Sequence, residues 1–267
     1  MIERNVALIA ETKKIRPVEL KRVEKVLRKR MQGDVAPIWE ISATVQVYEK
    51  VANVPPDAWP VVVRENIGQP GAISYHSDKN GTPFTMVAHS ESWPFFVSHD
   101  LVEMLVDPFG NRFQLGPDPR PNQSKTQVRY LVEVCDPCAA ATNGYEIDGI
   151  RVADFCTPNF YDAKGKRKAR YSFTGAVTKP FQVLPDGYIT WQEVETGRWW
   201  QKLFLGGKVT VRDLGILGGN EAESAVRRHR VSMQMMILRQ IQEAYDPSAA
   251  SVQFAIEDLI RVFGVAR

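Results

Sequence analysis

Several things are scarce in this sequence, and each shortage excludes something. Three cysteines in 267 residues are too few for a disulfide-held scaffold. No run reaches the roughly 20 apolar residues of a membrane-crossing helix, so no membrane partner is expected. Neither sign of charge dominates: 34 Lys and Arg against 31 Asp and Glu leave +3, too mild to point to nucleic acid. The start, Met1-Ile-Glu-Arg-Asn-Val6, has no charged lead before a long apolar run. No signal peptide is expected, and the expected compartment is the cytoplasm, with leaderless export or a phage-associated setting as the alternative. Internal repeats and low-complexity tracts are absent.

What is present is an ordinary globular composition, 44% hydrophobic, enough for a core. Residues 5–10 form an apolar run of strand length. Leu20, Val23, Leu27 and Met31 fall on one helical stripe over residues 17–31, with Lys21, Arg22, Lys25, Arg28 and Lys29 on the solvated side. Gln32-Gly33-Asp34 is the expected stop of that helix. Strands are expected at residues 41–49, 60–65, 72–76 and 83–89, with Asn80-Gly81 as a hairpin turn.

The most informative stretch is Trp93-Pro-Phe-Phe-Val-Ser-His-Asp-Leu-Val-Glu-Met-Leu-Val-Asp-Pro108. Pro94 suits a first helical turn and Pro108 forces a stop before it. His99 and Glu103, four apart, share a face, and Asp100 lies one step round. The other residues are so apolar that the helix must be buried, so its His and carboxylates need partners. The spacing is that of a zincin helix, in which His-Glu-x-x-His binds zinc and the Glu activates water. The form here is His-Asp-x-x-Glu.

Two helical ligands need a third. The best source is Glu133-Val-Cys-Asp136, which follows an expected strand at residues 127–134 and precedes Pro137. Together, His99-Asp-Leu-Val-Glu-Met-Leu-Val-Asp-Pro108, Glu133-Val-Cys-Asp136 and Asp154-Phe-Cys-Thr-Pro-Asn-Phe160 resemble motifs of a group of bacterial and phage-borne zincin-like proteins. The first two also resemble those of the plant phosphate-induced (Exordium-like) family. The likeness to the bacterial group spans about residues 5–200. It implies His99 and Glu103 as zinc ligands, Asp136 as the third, and Glu133 as the competing choice. Asp107, two turns beyond His99, is expected near the mouth of the site. One departure stands out: the relatives carry Glu where this chain has Asp100.

Other features are weaker. Cys135-Asp-Pro-Cys138 has the spacing of a redox pair or of half a zinc knuckle; a knuckle needs two more ligands and Cys156 is the one remaining cysteine, and Cys135 as a buried hydrophobe is the preferred reading. Ser98-His99-Asp100 is no triad, because sequence neighbours on a helix cannot face one another. His89 closes the strand before the site helix and faces either the cleft or a structural partner. His76 and His229 have no clustered partners in the sequence. Tyr161 is the candidate donor to a developing oxyanion, with packing as its other role. The aromatic set Tyr171, Phe173, Tyr188, Trp191, Trp199 and Trp200 reads as packing within short strands over residues 145–200. Gly206-Gly207 and Gly218-Gly219 mark a composition change. Beyond it, residues 220–244 and 252–263 read as two amphipathic helices, forming either a hairpin on the core or an oligomer contact.

The expectation is therefore an α+β, zincin-like metallopeptidase core over residues 1–217: an N-terminal mixed sheet plus helices, the site helix, and a β-rich second part. A C-terminal helical extension covers residues 218–267. The expected function is a zinc-dependent hydrolase, a peptidase-like protein acting on a peptide or protein, with Asp100 and Tyr161 as its catalytic groups and a weakened site. The alternative is a catalytically inactive, metal-stabilised binding protein or structural component of an assembly.

Overall fold

The apolar run Val6-Ala-Leu-Ile9 is buried without alternation, as a strand covered on both faces must be. It is the inner half of β1 (Ile2–Ala10). In a computed structural model, which describes residues 2–68, 73–121, 123, 126–166 and 168–216, β1 is an interior strand of a five-stranded sheet. It pairs in parallel with β2 (Ile41–Tyr48) and β3 (Ala58–Arg64). The crossover to β2 is α1 (Pro17–Arg30), whose Leu20, Val23 and Leu27 are buried. Gly33 does not end the helical path. The backbone runs through a π-helical stretch, Met31–Val35, into the short α2 (Ala36–Trp39). Met31 and Val35 are buried there, and a helical glycine costs only about 1 kcal/mol, which their burial outweighs.

The sheet is completed by the hairpin β4 (Ser74–Lys79) and β5 (Thr82–Ala88), giving the order β2-β1-β3-β5-β4. Asn80 and Gly81 both have positive φ, 54° and 78°, the backbone of a tight two-residue hairpin. The chain then enters α3 (Trp93–Val106), with Pro94 in its first turn and all but one of its residues buried. Asp107, before Pro108, leaves the helical region.

A second five-stranded sheet follows, antiparallel at every pairing, from β6 (Phe113–Pro117) and β7 (Gln127–Leu131). A small hairpin, β8 (Tyr145–Ile147) and β9 (Ile150–Val152), intervenes. The second sheet then adds β10 (Tyr188–Glu193), β11 (Arg198–Leu205) and β12 (Lys208–Ile216), in the order β12-β11-β10-β7-β6. Helix α3 packs against β4, β5 and β9. One apolar cluster runs from Val6 and Leu8 through Phe96, Leu101 and Leu105 to Val134 and Trp191, so both large sheets share a core.

This architecture corrects the expected α+β zincin-like core with C-terminal helices. Among the described residues there are twelve strands in three sheets, against two helices longer than a single turn. The described chain is mostly β. Composition after residue 108 hid part of this. β6 is an exposed strand in a turn-rich stretch, and Gly206-Gly207, expected to mark a change of composition, is the turn of the β11–β12 hairpin. The helices expected at residues 220–244 and 252–263 lie outside the described residues, as do His229 and the oligomer contact assigned to that region. Among the described residues, no helix is long and apolar enough to cross a membrane.

Candidate metal centre

Three segments distant in sequence converge below the first sheet. β4 carries His76; α3 carries His99, Asp100 and Glu103; the segment leaving β7 carries Glu133 and Asp136. Each is tied down locally. The Val134 carbonyl accepts from the Cys156 N–H at 2.7 Å, and the Glu133 carbonyl from the Tyr161 hydroxyl at 3.3 Å. Pro137 sets a 3-10 turn, Asp136–Cys138, whose Pro137 carbonyl accepts from the Leu184 N–H at 2.9 Å. Helix α3 is anchored by Arg30, fully buried, which donates to the carbonyls of Ser98 and Ala153 and, at 3.2 Å, to the Tyr145 hydroxyl. Ser98 Oγ, in turn, accepts from the Ala153 N–H at 2.9 Å.

The ligand-type atoms form two sets. His99 Nε2 lies 3.3 Å from Glu103 Oε2 and 3.4 Å from Asp136 Oδ1. Yet His99 Nε2 and Asp136 Oδ1 are both buried with no hydrogen-bond partner. Such atoms cost free energy unless something else satisfies them. Glu103 Oε1 accepts from the Cys135 N–H at 3.1 Å, which aims its other oxygen at His99. In the second set, His76 Nε2 sits 3.1 Å from Glu133 Oε2, with Glu103 again the third member. Within each set the ligand atoms lie within 4.8 Å of one another. All six side chains, including Asp100, are between 1% and 4% exposed.

The electrostatics are those of a crowded buried site. Burial raises the Asp136 carboxyl to about 7, with the Glu103 charge adding to the effect and His99 opposing it. Burial alone lowers His99, but the Glu103 charge, contacts with Asp136 and Glu103, and the Asp100 charge outweigh it and hold the imidazole well above its usual value. The Tyr188 phenol is raised first by burial and then by the Asp136 charge. A site that strains to keep protons on its ligand atoms is one where a cation can replace them. One imidazole and two carboxylates form a donor set that zinc accepts, so the residues fit the ion that the sequence implies.

The expected site residues are distributed as follows. His99, Glu103 and Asp136 meet. Glu133 lies with His76 and Glu103 in the second set. Asp100 is close enough for its charge to act on His99. Tyr161 supports the Glu133 backbone, and burial keeps its phenol protonated. Asp107 is not at a mouth: its Oδ1 accepts the N–H groups of Asn111 and Arg112, holding the loop after α3. The N–H of His89 pairs with the Arg64 carbonyl, and its side chain lies near Glu65, outside the cluster. Cys135 and Cys138 are free and buried, and burial pushes both thiols well up, the opposite of a reactive redox pair. The sequence reading missed His76, Tyr188 and Arg30. A histidine inside the buried run Ser74-Tyr-His-Ser77 was the available signal for the first. No spacing joins it to Glu133, 57 residues away. No family model, curated protein or solved structure matches the chain, so the likeness to zincin-like proteins rests on the motif residues alone.

Proposed function

We propose that this protein is a zinc-dependent hydrolase, peptidase-like in its choice of bond, with His99, Glu103 and Asp136 holding the ion. The observation that carries this is the convergence of His99 Nε2 and Asp136 Oδ1 on Glu103 with neither atom hydrogen-bonded. Zinc in such a site supplies a Lewis acid that polarises a carbonyl and makes water more acidic. The chain's own groups supply the rest. Asp100, beside His99, is the carboxylate that takes up a proton. Tyr161, kept protonated by burial, donates to the Glu133 carbonyl and would serve a developing oxyanion by turning from it. A groove of about 350 Å³ is lined by Ile38, Trp39, Arg112, Val132, Pro158 and Tyr161, among others. Val132 precedes Glu133 and Tyr161 bonds to it, so one wall of the groove backs onto the cluster. Its mainly polar lining, with Glu40, Arg112 and Gln114 beside Trp39, suits a peptide segment. Three free, buried cysteines fit the cytoplasmic compartment.

One observation favours a second reading, a metal-stabilised binding or structural protein. The ligand side chains are at most 4% exposed, whereas a catalytic zinc keeps an open position. The test is casein and peptide-library cleavage by the full chain, before and after zinc removal by a chelator and after zinc is returned. The hydrolase reading expects cleavage that is lost and then restored. Zinc-loaded protein that cleaves nothing, but melts at a lower temperature once stripped, would select the second reading instead.

A further inference from the structure

We infer that the centre holds two divalent cations, the second bound by His76 and Glu133, with Glu103 shared between them. This rests on the reading of His99, Glu103 and Asp136 as a metal site and extends it. The first observation is geometric. His76, Glu103 and Glu133 bring ligand atoms within 4.8 Å of one another, as do His99, Glu103 and Asp136, and Glu103 is common to both sets. A carboxylate has two oxygens, each with two lone pairs. Glu103 can therefore accept the Cys135 N–H at Oε1 and still serve an ion on either side. Each set supplies one imidazole, and each has a carboxylate of its own, Glu133 or Asp136.

The second observation is the atoms left over. His99 Nε2 and Asp136 Oδ1 are buried and face each other at 3.4 Å without hydrogen-bond geometry, a contact that an ion in the cluster would replace. The third is charge. Asp100, Glu103, Glu133 and Asp136 are all buried. The guanidinium of Arg30 is committed to the Ser98 and Ala153 carbonyls and the Tyr145 hydroxyl. Buried carboxylates must be protonated, paired or metal-bound. Paired metal ions sharing a ligand and sitting roughly 3.5–4 Å apart are a recurring arrangement in hydrolytic enzymes.

The test uses the full chain, stripped with a chelator, reloaded with excess zinc, desalted, and measured for zinc per chain by mass spectrometry. Manganese loading followed by electron paramagnetic resonance gives a second readout. Two zinc ions per chain are expected in the wild type. One is expected in His76→Ala and in Glu133→Gln, and none in Glu103→Ala. Manganese should give a spin-coupled signal that becomes an isolated-ion signal in His76→Ala. The wild-type stoichiometry decides even if a variant fails to fold. A single zinc in the wild type that persists in His76→Ala overturns the second site and leaves the first standing. Two ions that both survive His76→Ala overturn this placement. No bound zinc in the wild type overturns the metal reading itself, and the pair with it.

Discussion

Asp100 bears most on whether the site does chemistry. It is 1% exposed and close enough for its charge to raise His99, but it is one methylene shorter than the Glu expected from the motif. A proton acceptor must come within about 3 Å of its target, and misplacement by about 1 Å costs on the order of 100-fold in rate. Wild-type hydrolysis should therefore be feeble, and Asp100→Glu should raise casein cleavage without altering zinc content. A lower rate in Asp100→Glu would mean that the site is shaped around Asp. At the same scale, the ligand atoms set a pH dependence. The native Asp136 carboxyl is raised from an ordinary 3.8 to about 7, so between about pH 4 and 7 the folded chain holds a proton that the unfolded chain has released. His99, also raised, acts in the same direction. Both contributions are present at low pH and lost as pH rises through the folded values. The melting temperature of chelator-stripped protein should fall from pH 5 to pH 8. Zinc should stabilise the protein more at pH 8 than at pH 5, because binding requires deprotonated ligands. Stripped protein that becomes more stable over that range would contradict the assignment.

At the scale of elements, the centre depends on the turn that presents Asp136. Gly187 lies against it so closely that a Cβ there would sit 2.4 Å from the Pro137 carbonyl oxygen and 2.9 Å from that of Asp136. Gly187→Ala should therefore displace the turn, destabilising the fold by about 1–3 kcal/mol and weakening zinc binding at least tenfold. Denaturant unfolding and zinc competition with a chromophoric chelator would read both effects; an unchanged affinity would show that the turn does not position the ligand. Elements with strong local signals were legible in the sequence. Pro94 and Pro108 bracket α3, and Asn80-Gly81 sits at the turn of the β4–β5 hairpin. Elements defined by distant partners were not. β6 is an exposed strand that exists through its pairing with β7, and the π-helical stretch at Gly33 persists because Met31 and Val35 find the core. The same limit hid His76. Its nearness to Glu133 comes from the packing of β4, α3 and the segment after β7, and no local pattern encodes that.

Across the described molecule, two sheets share one core, and α3, packed against β4, β5 and β9, carries the centre. The expected balance of helix and strand failed at this scale. The aromatic residues after 145 pack as expected, with Trp191 fully buried and Phe173 stacked on Phe155 at 5.3 Å. Tyr188, Trp191, Trp199 and Trp200 lie in β10 and β11 of the antiparallel sheet that makes the described chain mostly β. In this frame His76, His99, Glu103, Glu133 and Asp136 lie in the interior, where uncompensated carboxylates are costly. The most direct measurement is the metal content of the full chain purified without added zinc, set beside that of a His99→Ala, Glu103→Ala double variant. Bound zinc in the wild type and none in the double variant is the expected result. Equal zinc in both, or none in either after zinc is supplied, would show that these residues do not form a metal centre.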